Sequence, residues 1–360
     1  MSSHHPDGAL AVLGWTPALD AAFADLGRPD LIPARVAAEH RGRLELAGAA
    51  GPLTGAPSGR LRHAAVTAAD LPAVGDWVAA DPASGVVHAV LPRRGGIARA
   101  AGDGRAEPQV LAANVDVALV VGSLNRDFNL RRLERFLTLA ADAEAESVVV
   151  LSKADLDPDP ALRALEVRDA LGGTVPVLPV SVVDGTGLEA LGAWLAPGRT
   201  VVLLGSSGVG KTTLLNHLSG GSRLTLPVRE GDDRGRHATT HRELVPLAGG
   251  ALVIDTPGLR LPRLWEQAAG LRSVFADVEE LAARCRFRDC THHGEPGCEV
   301  AAAIADGRLP EDRLAGMEKL AREEAYLATR RDERARAERK SEWKRIHKAQ
   351  RRHYRERGRR

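Results

Sequence analysis

The stretch GSSGVGKT, residues 205–212, constrains what this chain can fold into more than any other, because it fits G-x(4)-G-K-[ST] in full. It follows an apolar run, TVVLLG, and opens a helix-like segment, TTLLNHLSG. A strand, a glycine-rich turn and a helix in that order make an anion cradle: backbone N–H groups turn toward phosphate oxygens, and the helix N-terminus adds partial positive charge. Gly205, Ser206, Ser207, Gly208, Val209 and Gly210 would form the turn. Lys211 would bridge the β- and γ-phosphates, Thr212 would hold Mg²⁺, and Thr213 would complete the nucleotide contacts from the first helical turn.

The surrounding texture begins near residue 112. Apolar runs DVALVVG (116–122), SVVVL (147–151), VPVLPV (175–180), TVVLLG (200–205) and ALVID (251–255) alternate with helix-like segments such as NLRRLERFLTLAADAEA (129–145). Such alternation predicts an α/β unit whose mostly parallel sheet is covered on both faces. Upstream, residues 34 to about 105 read as short β segments, ARVAAEHRGRLELAG, RLRHAAV, VGDWVAAD and GVVHAVL. These suggest a small barrel, of which the five-stranded OB type is one form. Residues 1–33 read as a helical lead-in or a partly disordered segment. Beyond about 276 the strands stop, and a charged helical pattern follows.

All three cysteines fall in CRFRDCTHHGEPGC, residues 285–298. The spacing C-x(4)-C-x-H-x(5)-C offers Cys285, Cys290 and Cys298 with an imidazole from His292 or His293, the donor set of a closed tetrahedral structural zinc site. Four filled positions leave none for a catalytic water, so the metal would fold a small domain. An odd cysteine count also argues against a disulfide framework.

The net charge of +2 conceals an asymmetry, since residues 329–360 carry 15 Lys or Arg against 5 Asp or Glu. A basic tail on an acidic body fits a nucleic-acid arm, with Trp343 and Tyr354 interleaved as stacking or packing groups. The plain alternative is a solvated helix. No apolar run approaches the roughly 18 residues of a membrane span, and MSSHHPDGAL has no secretory pattern. A cytoplasmic chain without a membrane partner is expected, and no apolar seam demands more than a monomer.

Two stretches extend the nucleotide reading. LVIDTPG, residues 252–258, ends a strand in D-x-x-G: Asp255 would bind Mg²⁺ through water, and the Gly258 N–H would touch the γ-phosphate. RGRHATTHRE, residues 234–243, precedes it and offers a switch threonine, Thr239 or Thr240, with Thr239 preferred. Ras-type enzymes place a water-orienting glutamine just after D-x-x-G, where this chain has Leu259. His237 is then the chemical choice for positioning the water, with a switch-loop or RNA-contacting histidine as the equal alternative.

Ser152, Lys153, Ala154 and Asp155 end an apolar run in S-K-A-D, which resembles the [N/T]-K-x-D signature with which GTPases read guanine. Asp155 would accept the N1 and N2 edge of the base, and Lys153 would lie along the ring. SVVDGTG, opening at Ser181, resembles the loop whose backbone contacts the guanine oxygen. Both stretches precede the phosphate loop, so the order is a circular permutation. Binding survives permutation, because it depends on loops meeting above one sheet. The second switch then runs directly toward the C-terminal region, and hydrolysis can move that region.

This order, with a barrel-like N-terminal part and a cysteine cluster behind the switch, resembles the small-ribosomal-subunit-dependent GTPase family called RsgA or YjeQ over roughly residues 34–350. The resemblance implies an N-terminal extension (1–33), an OB-fold RNA-binding domain (34–110), a circularly permuted GTPase domain (111–275), a helical zinc-binding domain (276–328) and a basic helical tail (329–360). It implies hydrolysis of GTP to GDP and phosphate, stimulated by the small (30S) ribosomal subunit and its 16S rRNA late in maturation, with hydrolysis driving release. It favours His292 over His293. Two departures stand out: Ser152 replaces the usual Asn or Thr, and Ala238 stands where a Thr often follows the switch histidine. Two other functions fit the residues: an RNA-binding scaffold in which nucleotide only tunes affinity, and an ATPase.

Overall fold

A computed structural model of the protein describes residues 8–40, 42–100, 108–126, 128–220, 242–255 and 268–329. Strands β1 (Ile32–His40), β2 (Arg43–Gly48) and β3 (Gly51–Gly55) form an antiparallel meander, and β4 (Trp77–Ala80) with β5 (Val87–Val90) pairs against the other edge of β1. The chain after β3 closes the ring onto β5: Ser58 N–H donates to Val87 O at 2.8 Å, and Val87 N–H to Ala56 O at 2.9 Å. Closure satisfies edge groups that an open sheet would expose. Val36, Leu44, Leu46, Val78 and Val87 fill the interior of this OB-type barrel.

One expectation inside the barrel is corrected. RLRHAAV is not a β segment, because Gly59–Ala64 forms an α-helix. The Ser58 hydroxyl accepts the Leu61 N–H at 3.1 Å and caps it. A local cap outweighs so short an alternation.

The N-terminal segment is a helical lead-in over its described part, with helices Gly8–Ala11 and Pro17–Ala24. Trp15 packs edge-on against Trp77 of β4, with ring centroids 4.7 Å apart. Beneath them Arg35 of β1 is fully buried, donating to Thr200 Oγ1 at 2.7 Å, to Gly75 O at 3.2 Å and to the Leu13 carbonyl. One guanidinium thus ties lead-in, barrel and sheet together.

A hairpin, β6 (Gly96–Ala100) with β7 (Pro108–Ala113), follows the barrel. The α/β sheet then comprises β8 (Val117–Ser123), β9 (Glu146–Ser152), β10 (Val177–Val180), β11 (Thr200–Leu204), β12 (Glu243–Pro246) and β13 (Leu252–Asp255). Their spatial order is β10-β9-β8-β11-β13-β12, parallel except for β12. The strand β11 that leads into the glycine-rich loop is fourth of these six in the chain, after β9 with its S-K-A-D end, which is the permutation made physical. β12, a four-residue strand ending in proline, was not anticipated from sequence. It also pairs with β1, Ala38 opposite Glu243, so the sheet runs on into the barrel.

Alternate residues of the central strands point to opposite faces, and both faces are buried. Ala118, Val120, Val202 and Leu204 share one core with Phe136 and Leu137 of the helix Leu130–Asp142. Val117, Leu119, Val121, Val201 and Leu203 share the other with Leu214 and Leu215 of the helix Lys211–Leu218. This double burial is why the strands read as continuous apolar runs.

Helices Ala268–Val274, Ala276–Ala282 and Glu299–Ala305, with a helix spanning 311–329, make the C-terminal part. Its seam against Leu130–Asp142 is built on buried charge. Arg313 is 1% exposed and donates to both Asp277 carboxylate oxygens at 3.0 Å, to Glu134 Oε1 at 2.9 Å and to Val274 O at 2.6 Å. Its guanidinium also lies 4.3 Å from the centroid of Phe275. Burial raises the Glu134 carboxyl, and Arg131 and Arg313 oppose that rise. Removing one partner from such a network typically costs about 3–5 kcal/mol, because the other charge is left buried and unpaired. Among the described residues no helix is long and apolar enough to cross a membrane.

Candidate functional site

The C-terminal ends of β9, β10 and β11 come together at one edge of the sheet, the place where parallel α/β sheets present their loops to ligands. From β11 the chain turns through residues 205–210 into the helix Lys211–Leu218. Gly208 and Gly210 take φ of +82° and +96°, which side chains resist. Val209 is buried and plugs the loop from beneath, while Ser207, Thr212 and Thr213 are exposed at its mouth. Lys211 is 8% exposed and folds back on its own loop, with Nζ donating to Gly205 O and Ser206 O at 2.7 Å each. Burial pulls its ammonium below the usual lysine range, and the nearby Asp255 carboxylate opposes that. Asp255 ends β13, the parallel neighbour of β11, and is buried.

The S-K-A-D segment meets this loop directly although about fifty residues separate them in sequence. Ser152 Oγ lies 2.5 Å from Val209 O and 3.1 Å from Gly122 O. Lys153 takes φ of +58° and donates from Nζ to Gly208 O at 3.0 Å. Asp155 accepts the Ser181 hydroxyl at 2.7 Å, and Ser181 Oγ accepts the Val183 N–H at 3.1 Å. Ser152, Lys153, Asp155, Ser181 and residues 205–213 therefore form one constellation. Sequence reasoning missed Gly122, whose carbonyl shares the Ser152 hydroxyl; the signal was the glycine that closes the apolar run DVALVVG. His237, Ala238, Thr239, Thr240, His241, Gly258, Leu259 and the tail from 330 lie outside the described residues.

A second constellation sits in the C-terminal part. Cys285, Cys290, His292 and Cys298 each present one ligand atom, all within 4.8 Å of one another. Cys285 Sγ is 3.9 Å from Cys298 Sγ, and His292 Nδ1 lies 3.7 and 3.6 Å from those two sulfurs. A tetrahedral zinc with Zn–S near 2.3 Å and Zn–N near 2.05 Å separates ligand atoms by about 3.8 Å (S···S) and about 3.6 Å (S···N). The donor set thus fits a closed four-coordinate cation, and three of its four members already have that spacing. Desolvation, with the flanking sulfurs of Cys298 and Cys285, pushes the Cys290 thiol up to about 12. Several thiolates cannot share so small a space without positive charge. His292 takes φ of +67°, an uncommon conformation for a residue with a side chain. His293 turns away and pairs with Glu318 at 3.2 Å.

Comparison with known proteins identifies the family. Residues 90–265 match the family model described as RsgA GTPase. The chain is 50% identical over 358 residues to the small ribosomal subunit biogenesis GTPase RsgA of Opitutus terrae, covering 95% of this chain and 97% of that one. The crystal structure of YjeQ from Thermotoga maritima is 26% identical, with a TM-score of 0.60 over 81% of this chain and 97% of that one. YloQ, described as a circularly permuted GTPase, shares the fold at 23% identity and a TM-score of 0.56, covering 85% of this chain and 97% of that one. The chain belongs to the RsgA GTPase family, and it is a circularly permuted GTPase in which β9, ending in S-K-A-D, precedes β11 and its glycine-rich loop.

Proposed function

We propose that the protein acts in the cytoplasm on the small (30S) ribosomal subunit, hydrolysing GTP to GDP and phosphate late in subunit maturation and leaving the subunit on hydrolysis. The observation that carries this reading is the contact of base and phosphate loops, through Ser152 to Val209 and Lys153 to Gly208. A nucleotide spanning the two would be gripped at both ends. Asp155 would pair with the guanine N1 and N2 edge, with Ser181 holding its carboxylate in place. Lys211 would exchange its loop carbonyls for the β- and γ-phosphate oxygens. Thr212 and Asp255 would hold Mg²⁺, directly and through water, and the cation would neutralise charge developing on the transferred phosphoryl group. Gly258 and Thr239 would sense the γ-phosphate, and His237 would position the attacking water.

Cys285, Cys290, His292 and Cys298 would hold one structural zinc. Barrel, cysteine knuckle and basic tail would contact 16S rRNA, and the protein would work as a monomer. With Leu259 in place of the usual glutamine, turnover of the free enzyme is expected to be slow and subunit-dependent. The test is GTP hydrolysis by the purified protein alone, with small subunits and with large subunits, with ATP as control. Stimulation by small subunits alone, specific for GTP, is the expected result. Equal turnover in all three conditions overturns the proposal and favours an RNA-binding scaffold.

A further inference from the structure

The loop between Cys285 and Cys290, Arg286-Phe287-Arg288-Asp289, is absorbed by neither the nucleotide site nor the metal donors. Apolar surface normally turns inward, yet Phe287 is 45% exposed in a chain with only 3% aromatic residues. Arg284, Arg286 and Arg288 neighbour it in sequence, all exposed. Arg286 and Arg288 have no carboxylate partner and no side-chain hydrogen bond among the described residues. The Arg286 guanidinium instead lies 5.4 Å from the centroid of the Phe287 ring.

The loop is also held in shape. Two cysteines of the metal cluster bracket it, Arg286 N–H donates to Gly297 O at 3.0 Å, and Cys290 N–H donates to Phe287 O at 3.3 Å. The Arg286 stem fills the space left by the missing side chain of Gly297, where a Cβ would come within 2.9 Å of Arg286 Cβ. A platform fixed before binding loses little entropy when a partner arrives.

We infer that Phe287, flanked by Arg286 and Arg288, is a stacking platform for an unpaired RNA base, with the arginines taking its neighbouring phosphates. The charge selects a polyanion, and the exposed ring selects among polyanions. A duplex keeps its bases stacked on one another, and an acidic peptide has no base to offer, whereas an unpaired nucleotide supplies both a π-face and a phosphate. The inference deepens the small-subunit reading and rests on it for the identity of the natural RNA.

The experiment measures affinity of the full-length protein for small subunits, for a single-stranded oligouridylate and for an RNA duplex, each at two salt concentrations. Phe287→Ala should weaken binding to subunits and oligouridylate by about 10- to 100-fold without changing the salt dependence. Phe287→Trp should restore it, and duplex binding should be unaffected by either. Arg288→Ala should lower the salt slope by about one. Metal content, measured on each variant, separates loss of stacking from loss of the knuckle. Equal binding by wild type and Phe287→Ala, a tryptophan no better than alanine, or tighter binding of polyglutamate than of oligouridylate would each overturn the inference. Binding of oligouridylate without binding of small subunits leaves the platform standing and removes the small-subunit reading instead.

Discussion

The cysteine knuckle and the phosphate loop both gather polar groups around a small volume, but they are built differently. In the knuckle the donor atoms of Cys285, His292 and Cys298 stand 3.6–3.9 Å apart, the spacing a zinc ion imposes, and all four donors lie within 4.8 Å of one another. In the phosphate loop the key cation is turned inward, with Lys211 satisfied by two carbonyls of its own loop. The difference follows from how each is assembled. The knuckle comes from one 14-residue stretch, so its geometry is set locally. The nucleotide site joins segments up to 57 residues apart, through single hydrogen bonds from Ser152 and Lys153. The first suits a permanent structural ion. The second suits a ligand that must leave once per cycle.

The largest effect should come from removing the metal. Binding free energies at structural zinc sites are on the order of 10 kcal/mol, much of it folding energy. Chelation should therefore abolish amide protection across 285–305 while the sheet continues to bind GTP. Unchanged exchange in that stretch would mean that the cysteines hold nothing, and the contrast between the two sites would collapse. Lys211→Ala should do the converse, lowering GTP turnover by at least about 100-fold while leaving metal content and unfolding temperature near wild type. A fold defect in that variant would show that Lys211 is a structural part of the loop and not a group in reserve.

A smaller effect sharpens the view of the nucleotide site as a breakable assembly. The Ser152 hydroxyl has one proton and two carbonyls within reach, Gly122 O and Val209 O. Ser152→Ala removes the tie and leaves Val209 O without it, at a cost of about 0.5–1.5 kcal/mol, or about 2- to 13-fold in GDP dissociation rate. A rate indistinguishable from wild type in stopped-flow displacement would show that Lys153 alone joins the loops.

The elements most legible in the sequence were those with local signatures. The phosphate loop, the five apolar strands and the cysteine spacing each lie within a short window. Even the permuted order was readable, because it is a statement about sequence order. What stayed hidden depends on distant pairings. Arg35 meets Thr200 across 165 positions, and Arg313 meets Glu134 across 179. Neither arginine differs in its local sequence from a surface arginine, so no periodicity could have buried it. β12 was lost for a related reason: ELVP is too short to show a period, and only its pairing with β13 and β1 makes it a strand. RLRHAAV failed in the opposite sense, since a capping serine just before it decided a conformation that alternation had suggested otherwise.

The smallest expected effect concerns the seam that joins the two regions. Asp142 ends the helix Leu130–Asp142, and its Oδ1 accepts the N–H of Gly270 at 2.8 Å, near the start of the helix Ala268–Val274. A side chain at Gly270 would come within 2.4 Å of that oxygen, so the approach depends on glycine. The other carboxyl oxygen, Oδ2, is buried without a partner among the described residues. Burial, reinforced by Glu324, raises the Asp142 carboxyl from 3.8 to about 7. A carboxyl raised on folding stabilises the fold in its protonated form. That contribution is complete below about pH 4 and is lost as pH rises through about 7. Asp142→Asn keeps the acceptor for Gly270 and cannot ionise. Between pH 5 and pH 8 the wild type should therefore lose about 2–4 °C of unfolding temperature relative to the variant. Parallel pH profiles would show that Asp142 is ionised throughout. The seam would then owe its proton sensitivity to Glu134, whose carboxyl burial raises against the opposing pull of Arg131 and Arg313.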